Sequence, residues 1–144
     1  MSKFHLHSDK YLDAIYDKRL NLVEFYWKPA TKDMTEAEYR MIVTDVVDEV
    51  IDNVQSGFWK VPNWLLDNRN FLFTISPKLQ EWQAKKIFRP LVRIGCKKSA
   101  LVMSEDVVSQ FSIEQTVQEH DQANLVMHYF FDLHQANVWL QERL

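Results

Sequence analysis

Few side chains in this chain are spaced for chemistry. Ser76 directly precedes Pro77 where a loop passes into a helical pattern, and Asp67 and Arg69 stand just upstream. Serine before proline suits the N-cap and first position of a helix, so Ser76 reads first as a cap that accepts a backbone amide. Asp67 and Arg69 carry opposite charges two residues apart after a short apolar run. They form either a loop salt bridge or a binding point at the mouth of a sheet. Phe71 and Phe73 in the loop that follows, with Trp82 in the next helix, are candidates for an apolar pocket or an interface patch. His5 and His7 are spaced to share one face of a strand, with no third ligand beside them. His120, His128 and His134 are dispersed, and no nucleophile–base pair can be named from spacing. No catalytic residue, metal site or cofactor is therefore expected. Cys96 is the lone cysteine, so it makes neither an internal disulfide nor a cysteine-based metal site. It reads as a small, half-buried residue.

The whole chain sets outer bounds. A length of 144 residues fits one domain with a real core, and 47% hydrophobic content is above that of a disordered chain. Two glycines and four prolines leave little for flexible linkers. A formal charge of −3 argues against nucleic acid as a main partner. The first ten residues lack the apolar core of a signal peptide and are expected to fray, and no window reaches the length of a membrane span. With one thiol, the composition suits a reducing cytoplasm.

The elements follow from pattern. Residues 11–17 and 21–28 are rich in strand formers around a short polar turn, which predicts a hairpin stopped by Pro29. Thr35 and Glu38 form a capping box. Behind it Tyr39, Ile42, Val43, Val46, Val47, Val50, Ile51 and Val54 trace one stripe of a helix, with Gly57 as its stop. Residues 61–67 read as a buried parallel strand. The helix from Pro77 is expected to kink or break at Pro90 and to end at Gly95. Residues 99–103 read as another strand. Ser104 is expected to cap a helix through Val107, Val108 and Phe111, restarted at Ser112 by a second capping box over Ser112–Gln115. A loop over 120–124, a last strand over 125–131 and a terminal helix capped by Asp132, with Ala136, Trp139 and Leu140 inward, complete the chain. Strands alternate with helices after the hairpin. This predicts a single α/β domain with a mixed, mainly parallel sheet of about five strands.

This order, with Leu65-Leu-Asp-Asn-Arg-Asn-Phe71, Ile75-Ser-Pro-Lys-Leu-Gln-Glu-Trp82, Ile87-Phe-Arg-Pro90, Ile94-Gly95, Leu101-Val-Met-Ser-Glu-Asp106 and Tyr129-Phe-Phe-Asp132, resembles the SpoIIAA-like family of the STAS group, also described as STAS/SEC14-like proteins. The resemblance spans roughly residues 12–142. It implies a non-enzymatic regulatory or protein-interaction domain, a cytoplasmic homodimer with a protein partner. In STAS-type antagonists a serine at this strand-to-helix junction is phosphorylated, and the matching position is Ser76. The junction here reads Thr74-Ile-Ser-Pro77 in place of the antagonists' Asp-Ser-(Ser/Gly), and Pro77 removes one amide donor. The SEC14-like description and the aromatic loop imply the alternative, a carrier or sensor of a small apolar or lipid-like ligand.

Overall fold

The structure is a computed structural model that describes residues 2–120 and 124–142. It is an α/β domain with a mixed sheet of six strands in the order β1-β2-β3-β4-β5-β6. The expected hairpin is β2 (Leu12–Asp17) and β3 (Leu22–Trp27), paired antiparallel with Leu12 opposite Trp27. Asn21 closes the turn at φ 51°, a left-handed conformation that asparagine tolerates, and its side-chain oxygen accepts from the Tyr16 hydroxyl at 2.7 Å. The sixth strand corrects the expectation of a frayed start. Lys3–Ser8 forms β1, an antiparallel edge strand on β2. A bulge between His5 and His7 sets His5 opposite Ile15 and His7 opposite Ala14, neighbours on opposite faces of β2. The extra residue therefore breaks the single-face spacing read for the two histidines.

From β3 onward each strand lies parallel to the last and one place further across: β4 (Asn63–Asp67), β5 (Lys98–Val102) and β6 (Val126–Phe130). Crossovers of one hand that all step in one direction must lie on one face. That face carries α1 (Glu36–Gln55), a run composed of α2 (Pro77–Gln83) and α3 (Arg89–Ile94), and α4 (Val107–Gln118). Most of the core lies there, built on Val23, Phe25, Trp64, Leu101 and Met127. The alternate residues Leu22, Leu65, Ala100 and Val102 face the other way and meet Ala136 and Leu140 of α5 (Leu133–Gln141).

Local chemistry explains the helix ends. Thr35 and Glu38 make the reciprocal capping box, with the Thr35 amide donating to Glu38 Oε1 at 2.9 Å. Gly57 follows the helix at φ 80°, which a Cβ would oppose, and its amide donates to the Val54 carbonyl. Between α2 and α3 the helix widens into one π turn, Ala84–Phe88, where the Arg89 amide reaches back five residues to Ala84. Pro90 has no amide to donate and its ring crowds the preceding turn, so the wide turn takes up the mismatch while the helix runs on. Gly95 ends it at φ 102°.

Helix α4 departs from its expected start. Asp106, in place of Ser104, is the N-cap and accepts from Ser109 at 2.9 Å. The Ser104 hydroxyl instead donates to the Phe71 carbonyl at 2.8 Å. Ser112 starts no second helix; it is buried inside an unbroken one, donating to the Ser109 carbonyl and accepting from the Ile75 amide. The inward stripe is Ile113, Thr116 and Val117, so Val107, Val108 and Phe111 fall on the opposite side, in solvent. Of the loop expected over 120–124, residues 121–123 lie outside the described residues.

Candidate ligand chamber

The predicted junction residues do not converge on one site. Ser76 caps α2, accepting from the Leu79 amide at 3.3 Å, and its hydroxyl donates to Glu36 Oε1 in the first turn of α1. Both roles of the oxygen are in use, and a phosphate there would confront the Glu36 carboxylate. Asp67 and Arg69 form a bidentate pair, Nε to Oδ1 at 2.9 Å and Nη2 to Oδ2 at 2.8 Å. The Asp67 bond holds the guanidinium proton more firmly than usual. The pair adjoins a polar cluster on the α5 face of the sheet. There Tyr26 donates to Glu24, and Lys3 lies 3.5 Å from Glu24 and 4.0 Å from Asp17. Burial first, and the Glu24 bond next, push the Tyr26 phenol upward. Each charge in the cluster has an opposite charge beside it, as a structural network requires. Nothing in the spacing marked this cluster except Glu24 and Tyr26, two residues apart in an otherwise apolar strand.

The aromatic expectation leads elsewhere. Phe71 and Phe73 are buried around Tyr39, with ring centroids 6.3 Å and 5.4 Å from it, and Trp82 stands at 6.4 Å. Trp27, at the end of β3, packs on Phe71 at 5.0 Å and on Tyr39 at 5.9 Å. This aromatic wall closes one end of a chamber between the sheet and the covering helices. The chamber has a volume of about 80 Å³ and is lined by Phe25, Trp64, Leu101 and Met127 from the sheet and by Val43, Ile87 and Ile113 from the helices. Of the predicted residues, Phe71 lines it; Phe73 and Trp82 stand behind Phe71 and Tyr39, and Asp67, Arg69 and Ser76 lie outside.

Among the described residues no charged side chain lines the chamber, but polar ones do. Asn68, Gln83 and Ser99 are each more than nine-tenths buried. Gln83 Oε1 accepts from the Tyr39 hydroxyl at 3.1 Å, which fixes the amide and leaves Nε2 without a partner among the described residues. Asn68 is held through its backbone, its amide donating to Val102 and its carbonyl accepting from Phe71. Its side-chain amide and the Ser99 hydroxyl show no hydrogen bond among the described residues, and both residues line the chamber, so its space reaches them. Native interiors rarely leave such groups idle, and a cavity is where a ligand or water completes them. Burial holds the Tyr39 phenol protonated far above neutral pH, so the chamber is uncharged throughout the physiological range.

The remaining candidates are separate. Cys96 is buried outright, not half-buried, at 2% exposure. Burial pushes its thiol up to about 11, the Trp64 side chain only partly offsetting this. His7 pairs with Asp9 at 2.7 Å, and His128 stacks on Trp139 at 4.6 Å. Among the described residues no three histidine, cysteine or acidic side chains gather as a metal site, and no helix is long and apolar enough to cross a membrane. No protein-family model, curated protein or solved structure matches the chain.

The chamber residues escaped sequence reasoning. Asn68, Gln83 and Ser99 come from three different elements, and each alone reads as an ordinary loop, helix or strand residue. The signal available was a polar residue interrupting an apolar face, as Gln83 does between Leu79 and Ile87.

Proposed function

We propose that this protein is a non-enzymatic binding domain that carries or senses a small, largely apolar molecule in the chamber between its sheet and its helices. The observation that carries this reading is an apolar cavity lined by three buried residues, Asn68, Gln83 and Ser99, whose neutral polar groups (the Gln83 NH₂, the Asn68 amide and the Ser99 hydroxyl) have no hydrogen-bond partner among the described residues. Apolar walls with a few inward polar groups are the usual make-up of a small-molecule site. The wall includes a π turn, a feature common near functional sites. The test is ligand-observed NMR with a panel of neutral fragments against the protein and against Ser99→Ile, which fills the chamber. Fragments that bind the first and lose the second support the reading. A panel that binds neither, or both equally, overturns it.

A second reading is the STAS-like regulatory interaction domain, a homodimer working in the cytoplasm with a protein partner. The element order that underlies the resemblance supports it, and so does an apolar stripe on α4. Val107 is 81% exposed, and Val108 and Phe111 lie beside it on the helix surface. Large exposed apolar side chains in one region mark contact surfaces. Helix α4 turns Ile113, Thr116 and Val117 to the chamber and this stripe to solvent, so one helix would couple a ligand to a partner. Native mass spectrometry tests the dimer. A mass of twice 17.2 kDa that reverts to the single chain in Phe111→Glu supports it, and a monomer before substitution removes it.

A further inference from the structure

Resting on the chamber reading, a finer assignment follows from the hydrogen-bonding capacity left open inside it. The Tyr39 hydroxyl fills one of the two lone pairs of Gln83 Oε1, while the Gln83 NH₂ donates to no described residue and needs an acceptor. Among the described residues the Asn68 side chain has no hydrogen-bond partner, so its oxygen is open to a donor and its NH₂ to an acceptor. Both stand at the aromatic end of the chamber. The Tyr39 ring lies 6.3 Å from Phe71, whose amide donates to the Asn68 carbonyl at 3.0 Å, and Tyr39 itself reaches Gln83 at 3.1 Å. Ser99 lies at the other end, paired with Trp64 at the start of β4 and β5. Four residues of strand separate the levels of Trp64 and Asn68, roughly 13 Å along the sheet. The walls between, Leu66 and Leu101 among them, are apolar.

We infer that the chamber takes an uncharged carboxamide, its C=O accepting from Gln83 Nε2 and its N–H donating to Asn68 Oδ1, with the apolar remainder lying along Leu66 and Leu101. A carboxylate supplies acceptors but no donor and would lose its hydration with no cation to replace it. An ammonium supplies donors but leaves Gln83 unanswered. A hydrocarbon answers neither amide and takes the space from which water could reach them. Size limits the ligand as well. A dry cavity of about 150 Å³ takes benzene, so a volume of about 80 Å³ admits a compact group of a few heavy atoms unless the π-turn wall yields.

The test uses three four-heavy-atom probes of matched shape: acetamide, acetate and isobutane. Each is titrated into uniformly ¹⁵N-labelled protein and into Asn68→Leu. The expected result is that acetamide moves the side-chain NH₂ resonances of Asn68 and Gln83 and binds most tightly. Asn68→Leu should weaken it by roughly tenfold, the scale of one buried hydrogen bond, while isobutane binds the variant at least as well as before. If Asn68→Leu does not fold, the NH₂ resonances of the unaltered protein decide alone. Binding of isobutane or acetate as tight as that of acetamide, or unmoved NH₂ resonances, overturns the carboxamide assignment and leaves the chamber reading standing. If none of the three moves any chamber resonance, both fall.

Discussion

Thr31 shows how much one hydroxyl can hold at the residue scale. It is fully buried in the 3₁₀ turn Pro29–Asp33, donates to the Lys28 carbonyl at 2.8 Å and accepts from the Leu72 amide at 2.9 Å. It thereby ties the turn after β3 to the aromatic loop that walls the chamber. Thr31→Val keeps the shape but strands the Leu72 amide, and should cost about 1–3 kcal/mol in urea unfolding. A change within error would mean that water replaces the hydroxyl. Cys96 gives a pH signature. Its thiol ionises near 9 when unfolded and near 11 when folded, so the unfolded state gives up its proton first as pH rises. The stability linked to it is full below about pH 9 and lost as pH climbs through 11. Burial raises Tyr39 and Tyr129 in the same direction. Melting temperature should therefore fall above pH 9, and less steeply in Cys96→Ala; equal slopes would contradict the assignment.

At the scale of elements, α5 covers its face of the sheet without a second helix beside it among the described residues. Its tie is Lys98, the second largest surprise of the structure after β1. The side chain is 2% exposed at the start of β5, and Nζ donates to the Trp139 and Glu142 carbonyls, each at 2.9 Å. It also lies 4.7 Å from the centroid of the Trp139 ring. A cation at the C-terminal end of a helix satisfies carbonyls that have no partner within the helix and matches its dipole. Lys98→Met retains the stem and removes these bonds. Amide exchange in α5 should quicken by roughly tenfold while α1 is unchanged, because local openings report local ties. A uniform acceleration would show that Lys98 supports the whole fold. The capping box of α1 is a purely local device by comparison. Thr35→Ala should cost about 1 kcal/mol in global stability and leave ligand binding intact.

Considered as a whole molecule, the sheet is wound one way. Three crossovers on one face leave that side thick and the other thin, and the thick side is where packing fails to close. The chamber lies where α1, the α2–α3 run and α4 meet over the middle of the sheet. An unfilled volume with idle polar groups lowers stability, and natural proteins keep such features where function needs them. Ser99→Ile replaces an unpaired hydroxyl with apolar volume in a strand that favours branched side chains. It should raise the melting temperature by a few degrees, about 1 kcal/mol, while abolishing fragment binding. A less stable variant would mean that the space is already filled by ordered water bonded to Ser99.

The sequence by itself determined what depends on neighbours in the chain. The capping box at Thr35, the N-caps at Ser76 and Asp132, the left-handed glycines 57 and 95, the Asp67–Arg69 pair and the strand–helix alternation were all legible, because their bonds close within a few residues. Only the tertiary structure decided the rest. The partner of residues 3–8 is a strand ten residues on, and the bulge that turns His7 away from His5 exists only once the two are paired. Helix α4 carries two apolar stripes, and the one that faces inward was chosen by contacts with elements distant in sequence. The buried Lys98 depends on carbonyls 41 and 44 residues away. The chamber is more remote still, since it consists of space that side chains from the sheet and from the helices on one face of it do not fill. No pattern in a sequence encodes an absence of atoms; it arises when elements of fixed shape are brought together and their surfaces do not quite meet.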